Sequence, residues 1–154
     1  MLNRFAKFSL SIAEIDRCWH KLAAEEMARY GLNSAHAVYL NSLYDAGQEG
    51  VTAAQLAELC AKNKADVSRM VAILEKKGLV RKNAVGANMY RAKLILTEEG
   101  SRAAEHVRKR AAVAVELAGS GLSDADRETF YRALALITEN LQKLSREGLP
   151  ARKE

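Results

Sequence analysis

Two short amphipathic segments in the middle of the chain constrain its fold more than any other feature. The first segment, Val51 to Cys60, carries Thr52 followed three residues later by Gln55, the pattern of a capping box that starts a helix. The second segment, Asn63 to Gly78, has apolar residues at the spacing of a helix packed along one side, namely Val67, Met70, Val71 and Leu74. Because only a few residues separate the two segments, they predict a helix-turn-helix.

The outward face of the second segment has few bulky side chains. At about 100° per residue, the face opposite the apolar side carries Ala65, Ser68, Arg69, Ala72 and Lys76. An ordinary solvated face is richer in Glu, Lys and Gln. Small residues around one arginine indicate a surface that another molecule approaches closely.

Positive charge is concentrated around this segment. Residues 62–93 contain nine basic and two acidic residues, a net charge of +7, so the rest of the chain carries −2 of the total of +5. A localised basic segment on an otherwise near-neutral protein predicts a surface for a polyanion. The alternative is a solvated basic helix without a partner.

Length and composition exclude several classes of protein. A chain of 154 residues suits one domain or two small modules with a real core, and its longest weakly polar run is too short for a bilayer. Glu14 and Asp16 interrupt any signal-peptide core, and Cys18 and Cys60 form no CxxC pair, so we expect the cytoplasm. No HExxH and no glycine-rich phosphate loop occur, so we predict neither an enzyme nor a cofactor.

The remaining elements surround the helix-turn-helix. Asn33 or Ser34 can cap a helix before it, strand-like "LVRK" and "YRAKLIL" flank a turn and predict a β-hairpin, and Thr97 caps a long helix to about Ala118. Ser123 with Asp126 caps a last helix. The first and last helices carry apolar seams, made of Phe5, Phe8, Ile12, Ile15, Trp19 and Leu22 in one and of Phe130, Leu134, Ile137, Leu141 and Leu144 in the other.

This order of elements predicts a mostly α (α+β) fold, a winged helix-turn-helix with a small β-hairpin wing flanked by terminal helices. We predict a winged domain over residues 33–96, a helical dimerisation region formed by 1–32 and 97–147, and a tail over 148–154. A core of about 65 residues is too small to cover both apolar seams. The seams therefore favour a homodimer. A helix-turn-helix usually binds two half-sites on DNA, which also requires a two-fold dimer.

At "KADVSRMVAILEKKGLVRK" and "LILTEEG" the chain resembles the MarR-type (multiple antibiotic resistance regulator) transcription regulators. The resemblance in layout covers nearly the whole chain and its strongest part runs from Val51 to Gly100. It implies a homodimer that binds a palindromic operator in double-stranded DNA, represses transcription and is released by a small-molecule effector.

For this function we assign DNA contact to both the predicted recognition helix and the hairpin. Arg69 can donate to guanine O6 and N7, and lysines near the helix ends suit phosphates. Two alternatives stay open: Arg69 pairs only with Asp66, and Asp66 either caps the helix or accepts from cytosine N4. The full DNA-binding set is Lys62, Lys64, Ala65, Ser68, Arg69, Ala72, Lys76, Arg81, Lys82, Arg91 and Lys93.

The hairpin departs from the family pattern. Many members carry an Asp-x-Arg pair whose arginine enters the minor groove, whereas this chain reads "GANMYRAK" without an aspartate. Arg91 can stand in, or Tyr90 can occupy the position.

Sensing residues are predicted more loosely. Effector contact is assigned to Trp19, His20, Tyr39 and Tyr44, against the alternative that such aromatic residues belong to the core. A redox sensor at Cys18, or a metal sensor using His36, Glu105 and His106, is the second possibility; the histidine partner is missing because Arg110 stands one turn after His106. A third is a protein-interaction module without specific DNA binding, which a weak dependence of binding on salt would indicate.

Overall fold

The computed structural model describes residues 2–83 and 92–150, without the side chains of Leu2 and Phe5. Within these residues the chain forms six α-helices, one short 3-10 helix and one two-stranded sheet. In chain order the elements are α1 (Leu2–Ala28), α2 (Ala35–Ala46), the 3-10 helix Gly47–Glu49, α3 (Ala53–Leu59), α4 (Lys64–Lys76), β1 (Val80–Asn83), β2 (Lys93–Leu96), α5 (Glu98–Ala118) and α6 (Asp124–Glu147). The predicted winged-helix fold class is confirmed.

The helix-turn-helix consists of α3 and α4, and its caps follow the sequence. The Thr52 hydroxyl accepts from the Gln55 backbone N–H at 3.2 Å while the Gln55 side chain accepts from the Thr52 N–H at 2.9 Å, which completes the capping box. Asn63 Oδ1 accepts from the Asp66 N–H at 2.9 Å and begins α4. The turn between them passes through Ala61 at φ +51°, a left-handed conformation uncommon for a residue with a Cβ.

The C-terminal end of α4 leads directly into the hairpin. Gly78 adopts φ +72°, and the Leu79 N–H donates to the Leu74 carbonyl at 2.9 Å, which is the pattern of a Schellman ending. β1 then pairs antiparallel with β2, with Val80 opposite Leu96. An isolated bridge between Val51 and Leu94 adds a third short segment at the edge of this sheet, which the sequence did not predict.

The start of α5 is fastened to the end of α4. The Thr97 N–H donates to the Leu79 carbonyl at 3.0 Å, and the Thr97 hydroxyl donates to the Gly78 carbonyl at 2.7 Å. The same hydroxyl accepts from the Gly100 N–H at 3.0 Å, so Thr97 caps α5 as predicted. Gly100 lies so close that a Cβ there would be 1.9 Å from the Leu79 carbonyl oxygen.

The core of the N-terminal unit, residues 1–113, lies between α2, α3, α4, the sheet and the first turns of α5. Its only buried polar side chain among the described residues is His36. The larger buried residues are Met27, Leu32, Tyr39, Leu40, Leu43, Leu56, Val67, Val71, Leu74, Leu79, Val80, Leu94, Leu96 and Val107.

Both ends of the linker between α1 and α2 are fixed by local bonds. Gly31 adopts φ +63° after α1, and the Leu32 N–H donates to the Met27 carbonyl at 3.2 Å. Asn33 Oδ1 accepts from the Ala35 N–H at 3.1 Å. Ser34 makes no side-chain capping bond, so Asn33 is the residue that caps α2.

The C-terminal unit, residues 114–154, contains the last turn of α5 and the whole of α6. Arg127 joins the two by donating to Glu116 at 2.8 Å and to the Gly119 carbonyl at 3.0 Å. Ser123 caps α6 through the Asp126 N–H at 3.2 Å, as predicted. None of the residues of α6 is buried. Throughout the described part of the chain, the helices lack an apolar stretch long enough to cross a membrane.

Candidate nucleic-acid interface

The outer face of α4 is exposed along its whole length. Val67, Val71 and Leu74 are buried on the inner side. Since those residues are fixed in the core, the face opposite them must point to solvent. The exposed residues of that face are Ala65, Ser68, Arg69, Ala72 and Lys76, the set predicted from helical spacing.

At its N-terminal end this face carries a connected group of polar side chains. Asp66 accepts from Arg69 through one carboxylate oxygen and from Asn63 Nδ2, at 2.9 Å, through the other. The Arg69 side chain is 71% exposed and that of Asp66 31%. The pairing that the sequence offered as an alternative to base contact is therefore present in the free chain, and it leaves the guanidinium facing water.

Further predicted basic residues lie next to α4 in the chain and on the two strands that follow it. Lys82 of β1 pairs with Glu75 of α4 at 3.1 Å, and the half-buried Lys93 donates to the Gly50 carbonyl at 3.5 Å. Besides Arg69, the exposed basic members of the predicted set are Lys62, Lys64, Lys76, Arg81 and Lys82. Arg91 and Tyr90 lie outside the described residues.

The structure places the four predicted effector residues in different surroundings. Tyr39 is 1% exposed in the core, and burial, with smaller contributions from Cys60 and Asp66, raises the pKa of its phenol. Trp19 and His20 are exposed on α1, where His20 pairs with Asp16 at 3.2 Å. Tyr44 is half-buried on α2 and donates to Glu105 at 3.2 Å. Tyr39 thus belongs to the core, which was the alternative to effector contact in the sequence analysis.

A polar contact between α1 and α5 was not predicted. Glu26 of α1 accepts from Arg110 at 2.8 Å and lies 3.0 Å from His106 Nε2, both on α5. The hydrogen bonds from Arg110 and His106 hold the pKa of the Glu26 carboxyl below its usual value. Glu26 is 80 positions from His106 and 84 from Arg110, beyond any helical spacing, and no local pattern in the sequence indicates the pairing.

A parallel contact joins α2 to α5. Arg108 donates to Asp45 at 2.8 Å and its guanidinium lies 5.0 Å from the centre of the Tyr44 ring. The negative charge of Glu105 is the main cause that raises the pKa of Tyr44. The contact of Arg108 with Asp45 and the contact of Arg110 with Glu26 together hold α5 against α2 and α1.

The predicted sensing residues have partners of their own. His36 is buried and its Nδ1 lies 3.3 Å from the Asn33 nitrogen, whereas Glu105 and His106 contact Tyr44 and Glu26. Within residues 2–83 and 92–150, no three His, Cys, Asp or Glu side chains are arranged to hold a metal ion. Cys18 is exposed, with Glu14 Oε1 at 3.6 Å and Arg17 Nη2 at 3.9 Å, and Cys60 is buried.

Comparison with known proteins agrees with this geometry. Residues 30–87, which contain α2, the helix-turn-helix and β1, match the model of the MarR family. Over this segment the chain is similar to the MarR-type regulators. The chain is also 24% identical over 132 residues to the HTH-type transcriptional regulator YybA of Bacillus subtilis, covering 86% of this chain and 87% of that one.

Solved structures resemble this chain over most of its length. The Staphylococcus aureus MepR–DNA complex superposes with a TM-score of 0.77 at 20% identity, covering 86% of this chain and 97% of MepR. A MarR family regulator from Listeria monocytogenes in complex with a 26mer DNA superposes with a TM-score of 0.76 at 21% identity, covering 92% and 95%. At these identities the likeness concerns the fold.

Proposed function

We propose that this chain is a sequence-specific DNA-binding transcription regulator that acts as a homodimer. The observation that carries the proposal is the outer face of α4, where small residues surround the exposed Arg69 while the inner face is fixed in the core. A major groove about 12 Å wide admits a helix whose outward side chains are short. Two solved relatives of the same fold are complexes with DNA.

In this proposal α4 reads bases and its surroundings bind phosphates. Arg69 offers two parallel donors to guanine, and Ser68 lies on the same exposed face, one residue before it. Ala65 and Ala72 leave room for the backbone to approach the bases. The phosphate contacts are assigned to Lys62, Lys64, Lys76, Arg81, Lys82 and Lys93, with Arg91 of the hairpin as the candidate for the minor groove.

Two apolar seams support the homodimer. On α1 the side chains of Phe8, Ile12 and Trp19 are exposed, and on α6 those of Leu134 and Leu141 are exposed as well. Monomeric proteins seldom expose contiguous apolar stripes, which are typical of interfaces. A two-fold dimer presents two copies of α4 to half-sites about one helical turn apart, and this arrangement calls for a palindromic operator.

Regulation completes the proposal. A dimer that occupies a promoter blocks transcription, so repression is the expected outcome. Effector contact is assigned to Trp19, His20 and Tyr44, whereas Tyr39 lies in the core. Of the three, Tyr44 is half-buried beside Glu105 and Arg108 and is the one best placed to meet a ligand and α5 together.

The experiment is fluorescence anisotropy of the purified protein on DNA from upstream of its own gene, compared with scrambled DNA over a salt series. Binding should prefer the upstream DNA and weaken steeply with salt, because phosphate contacts release counterions. Arg69→Ala should lose about 1–3 kcal/mol of that preference.

Arg102→Ala is the matched control. Arg102 on α5 is 73% exposed and pairs with Glu98 one turn away, much as Arg69 pairs with Asp66, but it lies outside the basic segment. It should bind both DNAs like the wild type. Equal, weak binding of both DNAs by the wild type, unchanged by Arg69→Ala, would contradict the proposal and favour a protein partner for this face.

A further inference from the structure

Three side chains form a continuous chain of bonds at the start of α4. Asn63, the N-cap, is held by its Oδ1 at 2.9 Å from the Asp66 N–H, and its Nδ2 donates to Asp66 Oδ2 at 2.9 Å. The other oxygen, Asp66 Oδ1, accepts from Arg69 Nη2. The guanidinium of Arg69 is therefore linked to the helix cap through a carboxylate that is itself held in place.

We infer that Asp66 is a positioning residue that holds the Arg69 guanidinium ready for a guanine. The inference rests on the proposed function and assigns Asp66 a part in selectivity that is neither capping nor a base contact of its own. The capping bond needs only the backbone N–H of Asp66, so capping gives no reason for a carboxylate to bind Arg69.

The geometry of a guanidinium permits both contacts at once. Its donors form two edges, one made by Nε and Nη2 and the other by Nη1 and Nη2, and Nη2 places one hydrogen on each edge. A single bond from Nη2 to Asp66 therefore occupies one edge only. The second edge keeps two parallel N–H groups, which is what guanine O6 and N7 accept.

Position and charge favour the same arrangement. Recognition helices contact base edges with their N-terminal residues, and Asp66 and Arg69 lie in the first two turns of α4. A carboxylate in a first turn is favoured by the helix dipole. It also repels phosphates, so its presence lowers affinity for DNA in general while it orders the one arginine that selects a base.

The test is an in vitro selection from a duplex library with a randomised centre, followed by binding measurements on the selected duplex. Four proteins complete a double-mutant cycle: the wild type, Arg69→Ala, Asp66→Ala and the double variant. Replacing single guanines by 7-deazaguanine, which lacks the N7 acceptor, identifies the base that depends on Arg69. Thermal unfolding followed by circular dichroism confirms that each variant is folded.

We expect Arg69→Ala to lose about 5- to 150-fold of the preference for one guanine in each half-site. Asp66→Ala should lose about 2- to 12-fold at that same base, the cost of ordering a free side chain, and should bind unrelated DNA more tightly. In the Arg69→Ala background, removal of Asp66 should cost nothing more at that base. Asp66→Asn keeps an uncharged acceptor and should fall between.

Each contrary result has its own meaning. If the wild type selects no common sequence, the proposed function itself is wrong, and the inference with it. If the wild type selects a sequence and both Asp66→Ala and Asp66→Asn retain full preference for the guanine, only the inference is overturned. A preference for a cytosine that Asp66→Ala loses even without Arg69 would show that Asp66 reads a base directly, which also overturns it.

Discussion

At the scale of single residues, His36 is the group in the core whose protonation the fold opposes. It is 2% exposed, its Nδ1 lies near the backbone of Asn33, and its Nε2 is buried without a hydrogen-bond partner in the structure described. Burial lowers the pKa of His36 below its usual value, and the hydrogen bond with Asn33 opposes this only in part. The folded protein therefore retains the neutral imidazole at a pH where the unfolded chain takes up a proton.

The consequence is a loss of stability in mild acid. Below about pH 6.5, the ordinary pKa of histidine, the unfolded chain binds more protons at this position than the folded chain does. The free energy of unfolding therefore decreases as the pH is lowered, until the pH reaches the lowered pKa of His36 in the folded protein. Urea denaturation between about pH 7.5 and pH 5.5, above most of the range in which carboxylates titrate, should show this decrease.

Two variants locate the effect. His36→Asn should be less stable at neutral pH but should show a flatter dependence on pH. His20→Asn, which removes an exposed histidine, should keep the dependence of the wild type. An unchanged slope in His36→Asn would show that another group is responsible.

The residue scale also shows where sequence reasoning stops. The outer face of α4 followed from helical spacing alone, and the Asp66–Arg69 pair could be anticipated because helical neighbours three apart meet. The second bond of Asp66, from Asn63 Nδ2, and the contact of Glu26 with Arg110 could not. One depends on side-chain rotamers and the other on tertiary packing.

At the scale of elements, the joint between α4 and α5 depends on the absence of a side chain at Gly100. A Cβ there would lie 1.9 Å from the Leu79 carbonyl oxygen, a backbone atom that cannot move away without disturbing the bonds from Thr97. Gly100→Ala should therefore destabilise the protein by about 1–3 kcal/mol, as overpacking does, although alanine is the better helix former.

Urea denaturation of Gly100→Ala beside Ser101→Ala tests this expectation. Ser101 is the half-buried next residue of α5, and its replacement should change the free energy of unfolding by less than about 1 kcal/mol. A Gly100→Ala variant as stable as the wild type would show that the start of α5 can shift to admit a methyl group.

Elements were the level at which the sequence was most informative. Thr52, Thr97 and Ser123 each cap the helix that they were predicted to cap, because a cap is decided within three or four residues. The bridge between Val51 and Leu94 was missed because it joins segments more than 40 residues apart, and a one-residue pairing leaves no alternating pattern.

At the scale of the whole molecule, the proposed dimer makes the exposed seam of α6 a target for mutation. Leu141 is 48% exposed in the single chain. Burial of a leucine contributes about 1.5–3 kcal/mol, and a two-fold dimer buries it twice. Leu141→Glu should therefore weaken self-association more than about tenfold and reduce DNA binding with it, as sedimentation equilibrium and anisotropy would measure.

Gln142→Glu introduces the same charge on the neighbouring position of α6, away from the seam, and should leave self-association unchanged. Equal sedimentation of Leu141→Glu and the wild type would remove α6 from the interface. At this scale the sequence predicted the seams but could not identify what covers them. An apolar stripe indicates that a helix face is buried, but not which surface buries it.

The bonds between Thr97 and the end of α4 have a mechanical consequence. Two hydrogen bonds and the close contact at Gly100 oppose a hinge motion between the end of α4 and the start of α5. We therefore expect the start of α5 and the end of α4 to move together as one rigid unit. Glu26 and Asp45 contact α5 farther along the helix, at Arg110 and Arg108. We therefore expect that a loss of these contacts alters the angle of α4, and with it the direction in which Arg69 points.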